Sequence, residues 1–267
     1  MTEREKAIGV FDSGVGGLTV VRELLERLPA EDIIYFGDSA RVPYGTKSPE
    51  TVLRFSRQNL AFLESKHVKL IVVACNTASS LALPALEAEE ELPLVGVLLP
   101  GARAAARETR NRRVAVIGTT ATINSGAYER AIRDIDPGIE IWSGACPLFV
   151  PLVEEGWLDD EVTRLTAARY LEPVRRFGAD TIVLGCTHYP LLEETIAGAA
   201  GPGVVLVDSA QETAIEVEGL LDERGLRTPS SERRRLEIYV SDLPARFREV
   251  AERFLGRPVE RVERVRF

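Results

Sequence analysis

Short apolar segments rich in β-branched residues alternate with longer amphipathic segments along almost the whole chain. The short segments predict β-strands, because strands buried on both faces have continuous Val, Ile and Leu sequences. They cover residues 7–11, 32–36, 70–75, 94–98, 114–118, 138–142, 181–185, 204–207 and 236–240. The clearest amphipathic segments predict helices over residues 18–28, 49–65 and 162–177. This alternation predicts an α/β fold with parallel sheets and helices on both faces.

Two prolines define helix boundaries. Ser48 is a good N-cap residue and Pro49 a good first helical residue, so a helix is predicted to start there. Pro84 interrupts the segment after Cys75, which predicts that this helix is kinked or ends early.

A faint internal repeat indicates that the chain has two similar halves. Residues 8–13 resemble residues 115–120, and nearly the same number of residues separates Asp12 from Thr119 as separates Cys75 from Cys186. We therefore predict two similar α/β domains with parallel-type sheets, related by pseudo-twofold symmetry, with the active site in the cleft between them. The first domain is placed at residues 1–98 together with 209–267, and the second at residues 99–208.

The charge of the chain argues against a nucleic-acid-binding or membrane-surface protein. Lys and Arg number 33 against 41 Asp and Glu, a net charge of −8, so the chain has no general attraction for polyanions. The basic stretches at 110–113 and 233–235 are short, lie among acidic residues and are expected to be solvated. The hydrophobic fraction of 45% is ordinary for a globular protein, and no apolar segment is long enough to cross a bilayer.

The cysteine content favours a reducing compartment. The three cysteines, at positions 75, 146 and 186, are far apart and form neither a disulfide framework nor a CxxC metal site. The charged first residues lead directly into a strand, so no secretion signal is expected. We therefore expect a cytoplasmic protein with no bound metal.

Cys75 and Cys186 each end an apolar predicted strand and are followed at once by small polar residues. The carboxyl ends of parallel strands are where α/β proteins bind ligands. A single cysteine is more often a small buried hydrophobic residue than a reactive thiol, and Cys146, which lacks polar neighbours, is expected to be one. A cysteine between an apolar strand and small polar residues occurs once in each half of the chain. We therefore expect the thiols of Cys75 and Cys186 to face each other across one small molecule.

Two loops follow the first two predicted strands. Residues 12–19 contain three glycines and open a helix, whose free backbone N–H groups could bind an anion. The loop lacks the Lys-Ser/Thr of a phosphate-binding loop and has Thr19 at the last position of a GxGxxG frame, which argues against a dinucleotide ligand. A small carboxylate or an amino-acid head group suits it better, with a simple tight turn as the alternative. Residues 37–45 carry the Tyr44 hydroxyl at the same sheet edge, where loops commonly have a functional role, with a simple connection as the alternative.

The sequence contains two histidines. His188 lies two residues after Cys186 and could increase the thiolate fraction of that cysteine or relay a proton. A purely structural turn histidine is the alternative. His67 lies in a polar segment and is expected to be exposed.

Four ordered motifs resemble those of the glutamate racemase family, within the aspartate/glutamate racemase superfamily. They are FDSGVGG at 11–17, GDS to PYG at 37–45, ACNTA at 74–78 and GCTHYP at 185–190. The resemblance runs from the first predicted strand to beyond Asp208, in the order and spacing of the family. Residues 150–156 also resemble a family segment that carries an acidic residue near the site.

The resemblance implies cofactor-independent interconversion of L- and D-glutamate by two cysteines. Cys75 is expected to act on the D-enantiomer and Cys186 on the L-enantiomer. Asp12, Glu154 and His188 are expected to assist proton transfer, with Glu155 as the alternative to Glu154. The residues expected to bind the substrate are Asp12, Ser13, Tyr44, Gly45, Asn76, Thr77, Thr119, Thr187 and His188. The resemblance also implies a homodimer that supplies D-glutamate for peptidoglycan and hence for cell shape.

The chemistry of inversion explains why two thiols are needed. Inversion at Cα requires that a proton leave one face and that another arrive on the opposite face, which two acid/bases on opposite sides accomplish. One thiol must start as the thiolate, and since free cysteine has a pKa of about 8.5, the pocket must favour ionisation of that thiol. Preorganised donors around the substrate carboxylate must stabilise the negative charge that develops.

Three other functions compete with this prediction. The nearest is an aspartate or other amino-acid racemase of the same superfamily. A cysteine hydrolase that uses Cys186 and His188 is less satisfactory, because it leaves Cys75 without a role. A regulatory binding protein that keeps the fold without turnover, and acts on a partner such as gyrase, belongs to a different functional class.

Overall fold

The computed structural model describes residues 2–229 and 235–266, so Arg233 and Arg234 of the second basic stretch lie outside the described residues. The strands are β1 (Ile8–Asp12), β2 (Ile33–Gly37), β3 (Leu70–Val73), β4 (Leu94–Gly96), β5 (Arg113–Gly118), β6 (Glu140–Ala145), β7 (Thr181–Gly185), β8 (Val205–Asp208), β9 (Leu236–Val240) and β10 (Val262–Arg264).

The α-helices and three short 3-10 helices connect these strands. The α-helices are α1 (Leu18–Arg27), α2 (Pro49–Ser65), α3 (Asn76–Leu81), α4 (Leu83–Glu89), α5 (Leu98–Glu108), α6 (Thr120–Asn124), α7 (Ala127–Ile135), α8 (Phe149–Glu155), α9 (Glu161–Phe177), α10 (Glu193–Ala200), α11 (Ser209–Glu223) and α12 (Pro244–Leu255). The 3-10 helices cover Glu3–Glu5, Tyr44–Thr46 and Tyr189–Leu192.

The strands form two sheets, and their paired strands are parallel. The larger sheet has the order β10-β9-β2-β1-β3-β4 and the smaller one the order β6-β5-β7-β8. The first four strands of the chain and the next four therefore share one relative order, which agrees with the predicted duplication. The predicted α/β fold with two parallel sheets is confirmed.

Strands β1, β2, β3 and β7 are buried along their whole length, because helices cover both faces of each sheet. In the larger sheet, Val10 of β1 and Val72 of β3 belong to one apolar cluster. Their neighbours Phe11 and Val73 belong to a second cluster, on the other face. This two-sided burial is the reason that the strands have continuous apolar sequences rather than alternating ones.

The predicted helix boundaries agree with the structure. Ser48 caps α2 by accepting a hydrogen bond from the Thr51 amide, and Pro49 is the first helical residue. The helix after Cys75 ends at Leu81, and a separate helix containing Pro84 follows it. The predicted early end of the first of these helices is therefore confirmed.

Several predicted strand limits need correction. The strand predicted at 70–75 ends at Val73, because Cys75 is already the N-cap of α3. The strand predicted at 94–98 ends at Gly96, because Leu98 begins α5. The strand predicted at 138–142 starts too early, because a turn closed by Asp136 occupies residues 136–139. The short edge strand β10 was not predicted, since its three residues include two charged ones.

Both predicted domain boundaries lie at helix starts. Leu99 is in the first turn of α5. Asp208 ends β8 and caps α11. The boundaries themselves stay a prediction. Within residues 2–229 and 235–266, no helix combines the length and the apolar character needed to cross a membrane.

Candidate active site

A cavity of about 170 Å³ lies where residues after β3 and β7 meet, and Cys75 and Cys186 both line it. This volume is below the roughly 300–1,000 Å³ of pockets for drug-sized ligands and suits a small substrate. Ten residues predicted to form the site line this cavity: Ser13, Tyr44, Gly45, Cys75, Asn76, Thr77, Thr119, Cys186, Thr187 and His188.

Cys75 is held at the N-terminus of α3, where it is the N-cap residue. Its Sγ lies 3.6 Å from the hydroxyl of Ser13. Burial and, to a smaller extent, the nearby negative charge of Asp12 together raise the pKa of Cys75 to about 12. In the absence of a ligand, Cys75 is therefore the protonated thiol at neutral pH.

Cys186 follows β7 and faces a charged histidine. The Sγ of Cys186 lies 3.9 Å from Nδ1 of His188, and Nε2 of His188 lies 3.0 Å from Oε1 of Glu154. Burial by itself lowers the pKa of His188, but the hydrogen bonds to Cys186 and Glu154 outweigh it and raise the pKa to about 10. His188 is therefore the imidazolium at neutral pH, which places a cation beside the sulfur of Cys186.

Asp12 lies at the end of β1 beneath the cavity and does not line it. One carboxylate oxygen accepts a hydrogen bond of 2.9 Å from the Gly14 amide. The other oxygen is buried and has no hydrogen-bond partner within the part of the chain that the structure describes. Burial raises the pKa of Asp12, although His188 and three backbone amides oppose this shift.

The glycine-rich loop after β1 allows the two halves of the chain to approach closely. A Cβ at Gly16 would lie 2.2 Å from Oγ1 of Thr187 and 2.6 Å from the ring of His188. The hydroxyl of Thr19 donates a hydrogen bond of 3.1 Å to the carbonyl of Thr187. The loop therefore packs directly against the segment that carries Cys186 and His188.

Tyr44 is held by a buried polar network. Its hydroxyl donates to Asp38 and accepts from the amide of Asn59. Asp38 is fully buried and also pairs with Arg41. Burial and the negative charge of Asp38 raise the pKa of Tyr44 well above its ordinary range, so the phenol is neutral. This network fixes the loop that carries Gly45.

Three threonine hydroxyls from the two halves meet beside the cavity, which Thr77 and Thr119 line but Thr122 does not. Thr77 Oγ1 lies 3.0 Å from Oγ1 of Thr119 and 3.3 Å from that of Thr122. Thr119 caps α6, and its hydroxyl lies 2.9 Å from that of Thr122. Hydroxyl groups can donate to a carboxylate, so this cluster is a potential anion-binding element. The motifs predict Thr77 and Thr119 in the site but not Thr122, whose only signal is its spacing of three residues from the helix cap Thr119.

Glu154 and Glu155 occupy very different positions. Glu154 does not line the cavity but contacts the outer ring nitrogen of His188. Glu155 is exposed.

The C-terminal helix α12 also approaches His188 and Glu154. The ring of Phe254 packs edge-on against His188 at 5.1 Å, and Arg253 donates to the backbone carbonyl of Glu154 at 2.8 Å. Neither contact was predicted from the sequence, because Phe254 and Arg253 are far along the chain from His188 and Glu154.

Two residues that the sequence analysis placed outside the site are indeed elsewhere. Cys146 is buried and contacts the carbonyl of Gly144, and His67 is exposed. The apolar part of the cavity wall was not predicted, because nothing in its sequence distinguishes it from ordinary loop residues. These lining residues are Val42, Pro43, Pro147, Val150 and Pro151.

Metal-binding groups do not cluster in the described part of the chain. Within residues 2–229 and 235–266, no three His, Cys, Asp or Glu side chains come together in an arrangement that could hold a metal ion.

Comparisons with known proteins agree on one family. Residues 8–217 match the model of the Asp/Glu/Hydantoin racemase family. A glutamate racemase of Geobacter metallireducens is 58% identical over 251 residues, which cover 94% of this chain and 93% of that protein. The structure of a Bacillus anthracis glutamate racemase isoform is similar with a TM-score of 0.95, at 39% identity and 98% coverage of both chains.

A third relative was solved with a ligand. The Francisella tularensis glutamate racemase, in complex with D-glutamate, has a TM-score of 0.92 to this chain, at 40% identity and 98% coverage of both chains. The family model covers most of the sequence, and the relatives match it almost from end to end. The chain therefore belongs to the Asp/Glu/Hydantoin racemase family and is an amino-acid racemase.

Proposed function

We propose that this protein is a glutamate racemase that interconverts L- and D-glutamate with two cysteines and no cofactor. The observation that carries the proposal is that Cys75 and Cys186 line one small cavity. They follow β3 and β7, which hold the same position in the two sheets. The relatives named glutamate racemase support glutamate as the substrate.

The charged neighbours of the two sulfurs suggest a direction for the first step. With L-glutamate, the Cys186 thiolate beside the His188 imidazolium removes the α-proton and becomes a thiol. The electron pair stays on the substrate as a carbanion delocalised into its carboxylate. The Cys75 thiol then donates its proton to the opposite face and becomes a thiolate. The reverse reaction uses the same groups with exchanged roles.

The remaining polar residues hold the substrate and its developing charge. Asp12 does not line the cavity, so its carboxylate at the end of β1 assists binding of the ammonium group through its negative charge. Hydroxyl and backbone donors around the cavity stabilise the enediolate-like charge, an effect that is strong because the donors are fixed in advance. The proposed substrate-binding residues are Asp12, Ser13, Tyr44, Gly45, Asn76, Thr77, Thr119, Thr187 and His188.

We further propose the cellular setting and the organisation of the chain. The enzyme acts in the cytoplasm as a homodimer and supplies D-glutamate for peptidoglycan biosynthesis. Its domains are residues 1–98 with 209–267 and residues 99–208, a division supported by the distribution of the strands between the two sheets.

Circular dichroism of L-glutamate incubated with the purified protein, without added cofactor, tests the activity. The expected result is decay of the signal to that of a racemic mixture. A comparison of kcat/KM on L-glutamate and L-aspartate separates the two racemase activities. One methylene group alters pocket binding by about 1–3 kcal/mol, so the preferred substrate should be clearly distinguished. Greater efficiency on aspartate would overturn the assignment to glutamate.

Deuterium incorporation at Cα in heavy water tests the two-thiol mechanism. Cys75→Ser and Cys186→Ser should each abolish racemisation but still exchange the α-hydrogen of the enantiomer whose base remains. Cys146→Ser is the matched control, because Cys146 is buried but does not line the cavity. Normal racemisation by either active-site variant would exclude the mechanism. No exchange by the unmodified protein would favour a regulatory binding protein.

A further inference from the structure

One hydrogen bond joins the cavity wall to a residue that neither the motifs nor the proposed mechanism include. The hydroxyl of Tyr128, on α7, donates to Oδ1 of Asn76 at a distance of 2.6 Å. Both residues are only 2% exposed. Asn76 lines the cavity directly after Cys75, whereas Tyr128 is outside the cavity wall. The bond also connects the two halves of the chain, since Asn76 follows β3 and Tyr128 follows β5.

The two ends of the Asn76 amide have different environments. Oδ1 is occupied by Tyr128. Nδ2 is buried, and no hydrogen-bond partner for it occurs among residues 2–229 and 235–266. A buried amide nitrogen without a partner is unfavourable unless a ligand supplies the acceptor. Because the residue lines the cavity, the acceptor would be a ligand atom there.

The position of Tyr128 is itself fixed. A Cβ at Gly101 would lie 3.4 Å from the Tyr128 hydroxyl oxygen, and one at Gly185 would lie 3.3 Å from its ring. Burial raises the pKa of Tyr128 above its ordinary value, so the phenol is protonated at neutral pH. The phenol therefore sits in a tightly packed slot and keeps its proton directed at Asn76.

We propose that Tyr128 is a positioning residue that holds the Asn76 amide group with its NH2 towards the cavity, where it donates to a carboxylate of the substrate. This inference rests on the proposed function for the identity of the substrate. Without Tyr128, the amide can rotate by half a turn and present its oxygen to the carboxylate. In that orientation the amide oxygen repels the carboxylate, whereas the NH2 group would have attracted it.

Steady-state kinetics of Tyr128→Phe with glutamate test this role. The expected result is an increase in KM of about tenfold, as for the loss of one hydrogen bond to a charged group. We expect kcat to stay within about twofold, because the chemical groups are unchanged. A purely structural defect would reduce the fraction of active enzyme, lowering kcat and leaving KM unchanged. That pattern would overturn the proposal.

Tyr189→Phe is the matched control. Tyr189 is also fully buried and donates one hydrogen bond, but to the backbone carbonyl of Cys146 at 2.9 Å. Its loss should leave the KM for glutamate unchanged. An equal rise in KM in both variants would mean that the loss of any buried phenol hydroxyl has this effect, and would overturn the proposal.

A double-mutant cycle with Asn76→Ala completes the test. If Tyr128 acts through Asn76, then Tyr128→Phe should not raise KM further in the Asn76→Ala background. A second tenfold increase there would overturn the proposal while leaving the racemase activity intact.

The same cycle measured by urea unfolding does not depend on turnover. If the unmodified protein fails to racemise glutamate, the proposed function is wrong. The unfolding cycle then tests only whether Tyr128 and Asn76 interact. Additive effects of the two substitutions would overturn it, and non-additive effects would support it.

Discussion

Oε1 of Glu154 lies 3.0 Å from Nε2 of His188, the ring nitrogen opposite the one that faces Cys186. This geometry makes the histidine a bridge between a carboxylate and a thiol. It also explains the asymmetry of the site, because Cys186 has a cationic neighbour whereas Cys75 has the negative charge of Asp12 nearby. The two sulfurs that line the cavity therefore lie in different electrostatic surroundings.

Replacing Glu154 by Gln should change the pH dependence of the reaction. The pKa of His188 is raised to about 10, so its charged form is present below that pH and lost above it. Removing the charge of Glu154 lowers this pKa, so the imidazolium is lost at a lower pH. The alkaline limb of kcat/KM for L-glutamate should therefore move to lower pH in Glu154→Gln.

Glu155→Gln provides the control for this change, because Glu155 is the adjacent residue and is exposed. Its pH profile should match that of the unmodified enzyme. Identical profiles for all three proteins would contradict the role assigned to Glu154.

Gly16→Ala should nearly abolish activity. The added Cβ would lie 2.2 Å from Oγ1 of Thr187 and 2.6 Å from the His188 ring, so one of these side chains must move. A displacement of about 1 Å at a catalytic group costs roughly 100-fold in rate, and a decrease of at least this size in kcat/KM is expected.

Gly219→Ala is the matched substitution for Gly16→Ala. Gly219 lies within α11, and nothing comes within 4 Å of a Cβ added there. Activity should be unchanged, and the free energy of unfolding should increase by about 0.5–1 kcal/mol, because alanine is favoured over glycine inside helices. Full activity of Gly16→Ala would show that the loop can move away from His188.

Lys69→Met should destabilise the fold strongly. The Lys69 ammonium is fully buried, pairs with Glu31 at 2.5 Å and donates to the backbone carbonyls of Arg4 and Leu226. Removing it leaves the buried carboxylate of Glu31 without its counter-ion, which costs about 3–5 kcal/mol in comparable cases. Urea or thermal denaturation measures this loss in the free energy of unfolding.

The exposed pair of Arg57 and Glu89 serves as the comparison for Lys69. Arg57→Met should leave stability nearly unchanged, because water screens and replaces an exposed ion pair. If both substitutions lowered the free energy of unfolding by the same small amount, the contacts that Lys69 makes to Glu31, Arg4 and Leu226 would not be important for stability.

The regular part of the fold was predictable because its signals are local. The predicted strand at 181–185 and helix at 49–65 agree with the structure, since each is a complete apolar or amphipathic segment with clear ends. Errors occurred where a local signal was ambiguous. Leu98 continues an apolar segment but begins a helix, and β10 is stabilised only by pairing with β9.

The sequence by itself determined which residue types follow the parallel strands. It thereby predicted that Cys75, Cys186 and His188 belong to the candidate site, together with several threonines. Adjacent motifs suffice for this, because strand ends and the turns that follow them are set by short-range patterns. The family resemblance added Glu154, but not its contact with His188.

Only the tertiary structure decided which side chains act on each other. Tyr128 reaches Asn76, Arg253 holds the backbone of Glu154, and Asp12 lies beneath the cavity rather than on its wall. These relationships join residues that are far apart in the chain, and they depend on how the two sheets and the C-terminal helix pack. Burial and neighbouring charge, which set the protonation states of Cys75 and His188, arise only from that packing.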